Sequence, residues 1–233
     1  MSAGENSAHY KIDPGQLGAS ISPLLFGHNL EHTRSCMWRG LSAQLIRNRK
    51  FAGKPQQLIG AAMEWYAVGL PQTFFHLDGD VVYTRHQSAD PQPRAGHKQR
   101  RNEMHSQLIQ GCVEGERCGI GQDQVALEQG RDYLLRLAIL GTEGLPVAVT
   151  VADDGGNSNY FSVEIEATGE WQVHEFEFAA GAVDAAARLE VTFAGAAELR
   201  IGFVSLLATD SFCGMRRDVI ELLKEIGAPI LRW

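Results

Sequence analysis

The sequence predicts a mixed fold: a β-sandwich of the jelly-roll kind inserted between the first strand and the first helix of an incomplete (β/α)8 TIM barrel. Three observations predict it. The middle of the chain carries short alternating runs separated by glycine-rich turns, the pattern of a sandwich. The stretch from Gly214 to Trp233 reads as an amphipathic helix feeding a short apolar strand, half of a repeating α/β unit. The opening residues share that chemistry, so two distant stretches are expected to run side by side as parallel barrel strands. The expected domains are residues 1–57, the amino-terminal strand and helix of the barrel; 58–208, the sandwich; and 209–233, the first barrel helix and second barrel strand, cut short.

In the first segment, Tyr10-Lys11-Ile12 reads as a short strand. Ile21 to Leu25 leads into Phe26-Gly27-His28-Asn29-Leu30-Glu31-His32, an apolar strand ending in polar groups. Trp38 to Phe51 carries Leu41, Leu45 and Ile46 at helical spacing, with Arg47, Arg49 and Lys50 opposite, and predicts a helix. In the second segment the period changes to two. Runs 132–140, 147–152, 160–165, 171–178, 187–193 and 199–206 alternate or are β-branched. Val173, Phe176 and Phe178, set among Glu175 and Glu177, show the half-buried pattern most clearly. About 130 residues suffice for a core of their own. In the third segment, Met215, Val219, Ile220, Leu222, Leu223 and Ile226 make one apolar stripe, with Lys224 in the last turn and Gly227 then Pro229 ending the helix. Ala228 to Trp233 reads as a buried strand with nothing after it to pair with, so the chain is expected to hold only the opening of a larger barrel.

Composition narrows the partners. The formal net charge of -7 gives no basic excess to neutralise phosphates, which argues against a nucleic-acid partner. The basic cluster from His97 to Arg101 lies in a polar stretch from Arg85 to Gln107 and reads as a solvated loop. Cys36, Cys112, Cys118 and Cys213 show no Cys-x-x-Cys spacing, which favours reduced structural thiols over a metal site. No run is long enough to span a bilayer, and Met1 to Ala8 holds no apolar core of a leader, so the expectation is a cytoplasmic protein with no membrane partner. No cofactor is expected; Gly119-Ile120-Gly121 is too short for a phosphate cradle.

A barrel keeps its site where the strand–helix loops converge, at the carboxyl ends of the strands. Two charged residues occupy such ends: Glu31 after the first strand and Arg232 after the second. Together they suit sugar hydroxyls or the positioning of another carboxylate, and equally a salt bridge that caps the barrel. His28-Asn29-Leu30-Glu31-His32 also fits a His-x-x-Glu-His zinc-peptidase pattern, but that chemistry needs a helix, and here a Ser-Pro pair and Gly27 introduce a strand-like run. Trp65, Tyr66, Tyr160 and Trp171 are candidate sugar-stacking rings; Trp171 opens an alternating strand, where a core or edge role competes.

The stretch Ile21-Ser22-Pro23-Leu24-Leu25-Phe26-Gly27-His28-Asn29-Leu30-Glu31-His32 resembles the opening of the family 51 glycoside hydrolases, chiefly α-L-arabinofuranosidases. Gly40 to Phe51 looks like their first helix and its exit. Gly214 to Glu225 with Pro229-Ile230-Leu231-Arg232-Trp233 looks like the next helix and strand, which in that family continues into Pro-Gly-Gly. Residues 119–140 and 169–207 are similar to the carbohydrate-binding jelly roll inserted in some members. The resemblance implies that Glu31 hydrogen-bonds the hydroxyls of an arabinofuranosyl ring and that Arg232 stands beside the nucleophile. It implies a retaining mechanism, with two carboxylates about 5 Å apart on later strands. The acid/base of that family sits in an Asn-Glu-Pro motif; Asn102-Glu103-Met104 is the nearest match and is not that motif. No catalytic residue is therefore expected in this chain. The partners implied are an arabinose-containing polysaccharide or oligosaccharide, with a homo-oligomer left open for the full-length parent. Three readings follow: the amino-terminal part of an arabinofuranosidase, a standalone carbohydrate-binding module, and a zinc peptidase.

Overall fold

Antiparallel pairing organises most of the molecule. The computed structural model describes residues 10–29, 36–69, 72–79, 105–111 and 113–232. Two five-stranded sheets stack face to face. One runs in the order β2 (Tyr66–Val68), β5 (Arg117–Leu127), β10 (Asp184–Ala194), β7 (Leu145–Ala152), β8 (Asn159–Ala167). The other runs β3 (Phe74–Gly79), β4 (His105–Gln110), β11 (Glu198–Ala208), β6 (Asp132–Gly141), β9 (Gln172–Ala179). All pairs within both sheets are antiparallel, as expected of a jelly-roll sandwich.

Alternation explains the core. On β9, Phe176 and Phe178 face inward opposite Leu135 and Tyr133, while Glu175 pairs with Arg136 on the outer face. On β7, Val147, Val149 and Val151 are buried and meet Ile165, Val163 and Phe161 of β8. The six strands read from alternation between residues 132 and 208 all form, each within a few residues of the expected bounds.

The stretch 38–51 is not the expected helix. Cys36–Leu41 is a single π-helical turn, and the chain then runs extended before tight turns. The apolar spacing served a different burial: Ile46 and Phe51 enter the sandwich core beside Trp65. This segment closes the gap left where β4 stops pairing along β11. The Leu45 amide donates to the Leu206 carbonyl, and the Val204 amide to that of Arg49. Gln44 accepts from the Leu206 amide and donates to Ser205 Oγ at 2.7 Å. On the other sheet, the buried Gln122 accepts from the Arg47 amide and donates to the Arg47 and Glu64 carbonyls. Asn48 holds the turn by bonding the Ala52 amide and the Ala52 and Met63 carbonyls.

The flanks form a second, smaller unit. A 3-10 turn, Pro23–Phe26, leads to β1 (His28–Asn29), which pairs in parallel with β12 (Leu231–Arg232). Helix α1 (Arg217–Ile226) precedes β12 and ends at Gly227. The unit is tied to the sandwich side by Ala43 N–H to the Gly214 carbonyl and Arg216 N–H to that of Leu41. Of the expected barrel, the described residues give one parallel pair and one helix; they form no (β/α)8 barrel. Tyr10-Lys11-Ile12 is exposed and makes no strand.

Candidate functional site

At the strand ends, the local sequence fixes how closely the two strands approach. Ser22 Oγ accepts from the Leu24 amide and Pro23 opens the turn that reverses the chain into β1. A Cβ on Gly27 would stand 2.3 Å from Ile230 Cγ2 and 3.2 Å from the Ile230 carbonyl oxygen, so glycine lets β12 come alongside without displacing Ile230. The His28 amide then bonds the Ile230 carbonyl at 3.0 Å, and Asn29 lies opposite Arg232. Both strands therefore point their carboxyl ends the same way. Arg232 is exposed there. Glu31, two positions beyond Asn29, lies outside the described residues, as do His32 and Asn102-Glu103-Met104.

The four expected stacking rings occupy different environments. Trp65 is 1% exposed; its ring tilts against Phe51 at 5.2 Å and its Nε1 donates to the Asn48 carbonyl. That indole packs the core and has no face for a sugar, because it fills the opening where segment 41–51 crosses the sandwich. Tyr66 is half-buried and packs against Gly121, where a Cβ would stand 2.3 Å from the ring. Its hydroxyl donates to Glu190 Oε1 at 2.8 Å. Burial, and then the bond to the Glu190 carboxylate, push this phenol well above its ordinary range. Tyr160 sits where the β7–β8 register shifts and donates to Asp184 Oδ2 at 2.9 Å, a bond that likewise raises its pKa. Both tyrosines thus reach carboxylates of β10. Trp171 is half-buried immediately before β9.

A cluster that the sequence reading did not single out lies on the outer face of the β3–β4–β11–β6–β9 sheet. Register lays it out in rows: Phe74, Gln110 and Glu198 in one, His76, Leu108 and Arg200 in the next, then Asp78 beside Ser106. The Phe74 ring is 48% exposed and stacks on His76, with centroids 6.1 Å apart and planes 18° from parallel. Arg200 Nε donates to Glu198 Oε1 at 3.0 Å, its Nη1 donates to Asp78 Oδ2, and Gln110 Nε2 donates to Glu198 Oε2 at 2.9 Å. Burial alone would lower the guanidinium's pKa, but the bonds to Asp78 and Glu198 outweigh it and hold the charge firmly. The signal was present in Phe74-Phe75-His76-Leu77-Asp78, whose odd members Phe75 and Leu77 are buried while the others face out. The doubled phenylalanine disguised that alternation.

No family model matches this chain. It is 24% identical over 231 residues to α-L-arabinofuranosidase 1 of Arabidopsis thaliana, a match covering 93% of this chain and 32% of the relative. The chain thus spans about a third of the length of that curated relative. Among solved structures, it is similar to the CBM22-1 xylan-binding domain from Paenibacillus barcinonensis, with 13% identity and a TM-score of 0.48 over 73% of this chain and 97% of that one. It is also similar to TmCBM61 in complex with β-1,4-galactotriose, with 19% identity and a TM-score of 0.40 over 67% and 99% respectively.

Proposed function

We propose that this chain is the amino-terminal part of a retaining α-L-arabinofuranosidase acting on terminal arabinofuranosyl groups of arabinan or arabinoxylan, with its catalytic carboxylates outside the chain. The observation that carries the reading is the parallel pairing of residues 28–29 with 231–232 across an intervening sandwich, in a chain similar over most of its length to an arabinofuranosidase. In this reading the pair is the start of a (β/α)8 barrel. Glu31 binds arabinofuranosyl hydroxyls, and Arg232 positions the nucleophile contributed by a later strand. The Asn29–Arg232 register supports this, since it brings both strand ends to one side, where a barrel keeps its chemistry. In this reading the nucleophile and the acid, about 5 Å apart in a retaining enzyme, come from later barrel strands, and this chain alone is expected to release no arabinose.

A second reading is a standalone carbohydrate-binding module. It is favoured by a specific contrast: the sandwich has a continuous core of its own, whereas α1 buries none of its residues. The discriminating experiment reads the coding frame past codon 233. A frame continuing Pro-Gly-Gly and later Asn-Glu-Pro is expected, and its full product should release arabinose from an aryl α-L-arabinofuranoside while this chain alone releases none. Hydrolysis by the 233 residues alone, or a frame without those motifs, overturns the first reading.

A further inference from the structure

We propose that the outer face of the β3–β4–β11–β6–β9 sheet carries a binding site for a neutral glycan chain, built on the Phe74–His76 ring pair and the Arg200 network. The proposal rests on the carbohydrate-binding reading of the sandwich. Recognition of a sugar needs an apolar plane for its C–H face and fixed polar groups for its neighbouring hydroxyls. Both are present here within adjacent rows of one face. The ring pair supplies the plane: Phe74 keeps about half its surface open, and His76 beside it is also exposed. Among the described residues, the other ring pairs, such as Phe51–Trp65 and Tyr133–Phe178, sit in or against the core.

The polar half is organised before any ligand arrives. Arg200 is fixed from two sides by Asp78 and Glu198, and Glu198 is held in turn by Gln110. Groups already held in place lose little freedom on binding, so more of each hydroxyl contact appears as affinity. Carboxylates accept from sugar hydroxyls while guanidinium and amide N–H groups donate to them, so the two sides of a diol are both answered. The charge balance selects the class of glycan. One guanidinium faces two carboxylates, leaving excess negative charge that repels a uronate and tolerates a neutral pentose or hexose. On the opposite outer face, by contrast, the half-buried Tyr66 ring lies against Gly121.

Isothermal titration of the full 233-residue chain with soluble arabinoxylan, debranched arabinan and polygalacturonate tests the site. The neutral polymers are expected to bind and polygalacturonate is not. Phe74→Ala combined with His76→Ala should weaken binding at least about tenfold, through loss of stacking. Asp78→Asn, a milder change that keeps the side chain's shape, should weaken it several-fold, while Glu164→Gln on β8 leaves it unchanged. Thermal unfolding of each variant identifies those that remain folded. If the wild-type chain binds and the ring and Asp78 variants bind equally well, the platform is wrong while the carbohydrate-binding reading stands. If the wild-type chain binds none of the polymers, both fall. Preference for polygalacturonate overturns the assignment to neutral glycans.

Discussion

The sandwich and the flanking β1–α1–β12 unit bury their apolar residues to opposite extents. In the sandwich, Leu135, Leu137 and Ile139 are enclosed by facing strands. In the flank, α1 has an equally clear apolar stripe, yet Leu222 is 56% exposed and Ile226 is 51% exposed, and Ile230 and Phe26 of the same unit are exposed as well. Amphipathic periodicity records what a helix is built to bury, not what covers it. The difference also separates two kinds of stability. Tertiary packing supplies most of a helix's stability, so α1, with Val219, Ile220 and Leu223 only partly buried, leans on its Gly227 end, the Arg216–Asp218 pair and the Arg216 bond to Leu41 at its start.

The largest expected effect tests that contrast directly. Leu137→Ala should cost about 3–5 kcal/mol in urea denaturation, because it opens a cavity in an enclosed core. Leu222→Ala in α1 should cost less than about 0.5 kcal/mol, as for an exposed surface change. Amide exchange should follow the same division, slow in β10 and β11 and fast along residues 217–226. A cost at Leu222 comparable to that at Leu137, or strong protection throughout α1 in a monomer, would show that the flank is packed after all.

Next in size is the join between segment 41–51 and the sandwich. Gln122→Leu removes the acceptor for the Arg47 amide and the donor for the Arg47 and Glu64 carbonyls. Leaving such groups buried and unpaired should cost about 2–3 kcal/mol. A loss below about 0.5 kcal/mol would mean that the segment is laid on the sandwich and not built into it.

These same residues show what was legible in the sequence. β7, β8 and β9 were readable because each presents one wet and one dry face, so chemistry alternates with period two; β6, β10 and β11 are buried on both faces in their middles and were readable from their apolar and β-branched runs. β5 was not. Its outward Gly119 and Gly121 are small to admit neighbours, and its inward Gln122 is polar because it serves backbone groups of another segment. No local pattern announces a partner some 75 positions away. Residues 38–51 misled for the converse reason: Leu41 and Ile46 are buried, as helical spacing suggested, but Leu41 ends a single π-helical turn and Ile46 lies in the turns that follow an extended run. Asn48 and Phe51 even take positive φ, which a helix forbids and the surrounding bonds and packing impose. Among the site residues, the two end strands were legible from their apolar runs and the charge at Arg232, whereas the close approach at Gly27 and the Phe74 face became visible only in the structure.

A smaller effect is expected at Tyr66. Tyr66→Phe removes the hydroxyl that links β2 to Glu190 two strands away, and on a half-buried site this should cost about 1 kcal/mol. The phenylalanine ring still covers Gly121, so loss of the whole β2 edge is not expected. A cost near zero in urea denaturation would show that Glu190 is satisfied equally well by water.

The smallest effect is a pH dependence inside the sandwich. His174 on β9 lies opposite Leu137 and stacks on Phe176 with ring planes 5° apart, and its Nε2 is buried without a hydrogen-bond partner. Burial lowers its pKa below the ordinary histidine value of 6.5. The unfolded chain therefore binds more protons than the folded one between the depressed pKa and the normal one, so stability rises with pH across that window. The contribution is present above about pH 6.5 and is lost as pH falls through the lowered value. Carboxylates such as Asp218, which Arg216 holds below its usual range, lose their contribution only at more acidic pH. His174→Phe should flatten the fall in unfolding midpoint between about pH 7 and pH 5, since a neutral ring of similar width carries no proton. An unchanged slope in that variant would show that the imidazole is solvated when charged, and that this edge of the sandwich opens as readily as the flank.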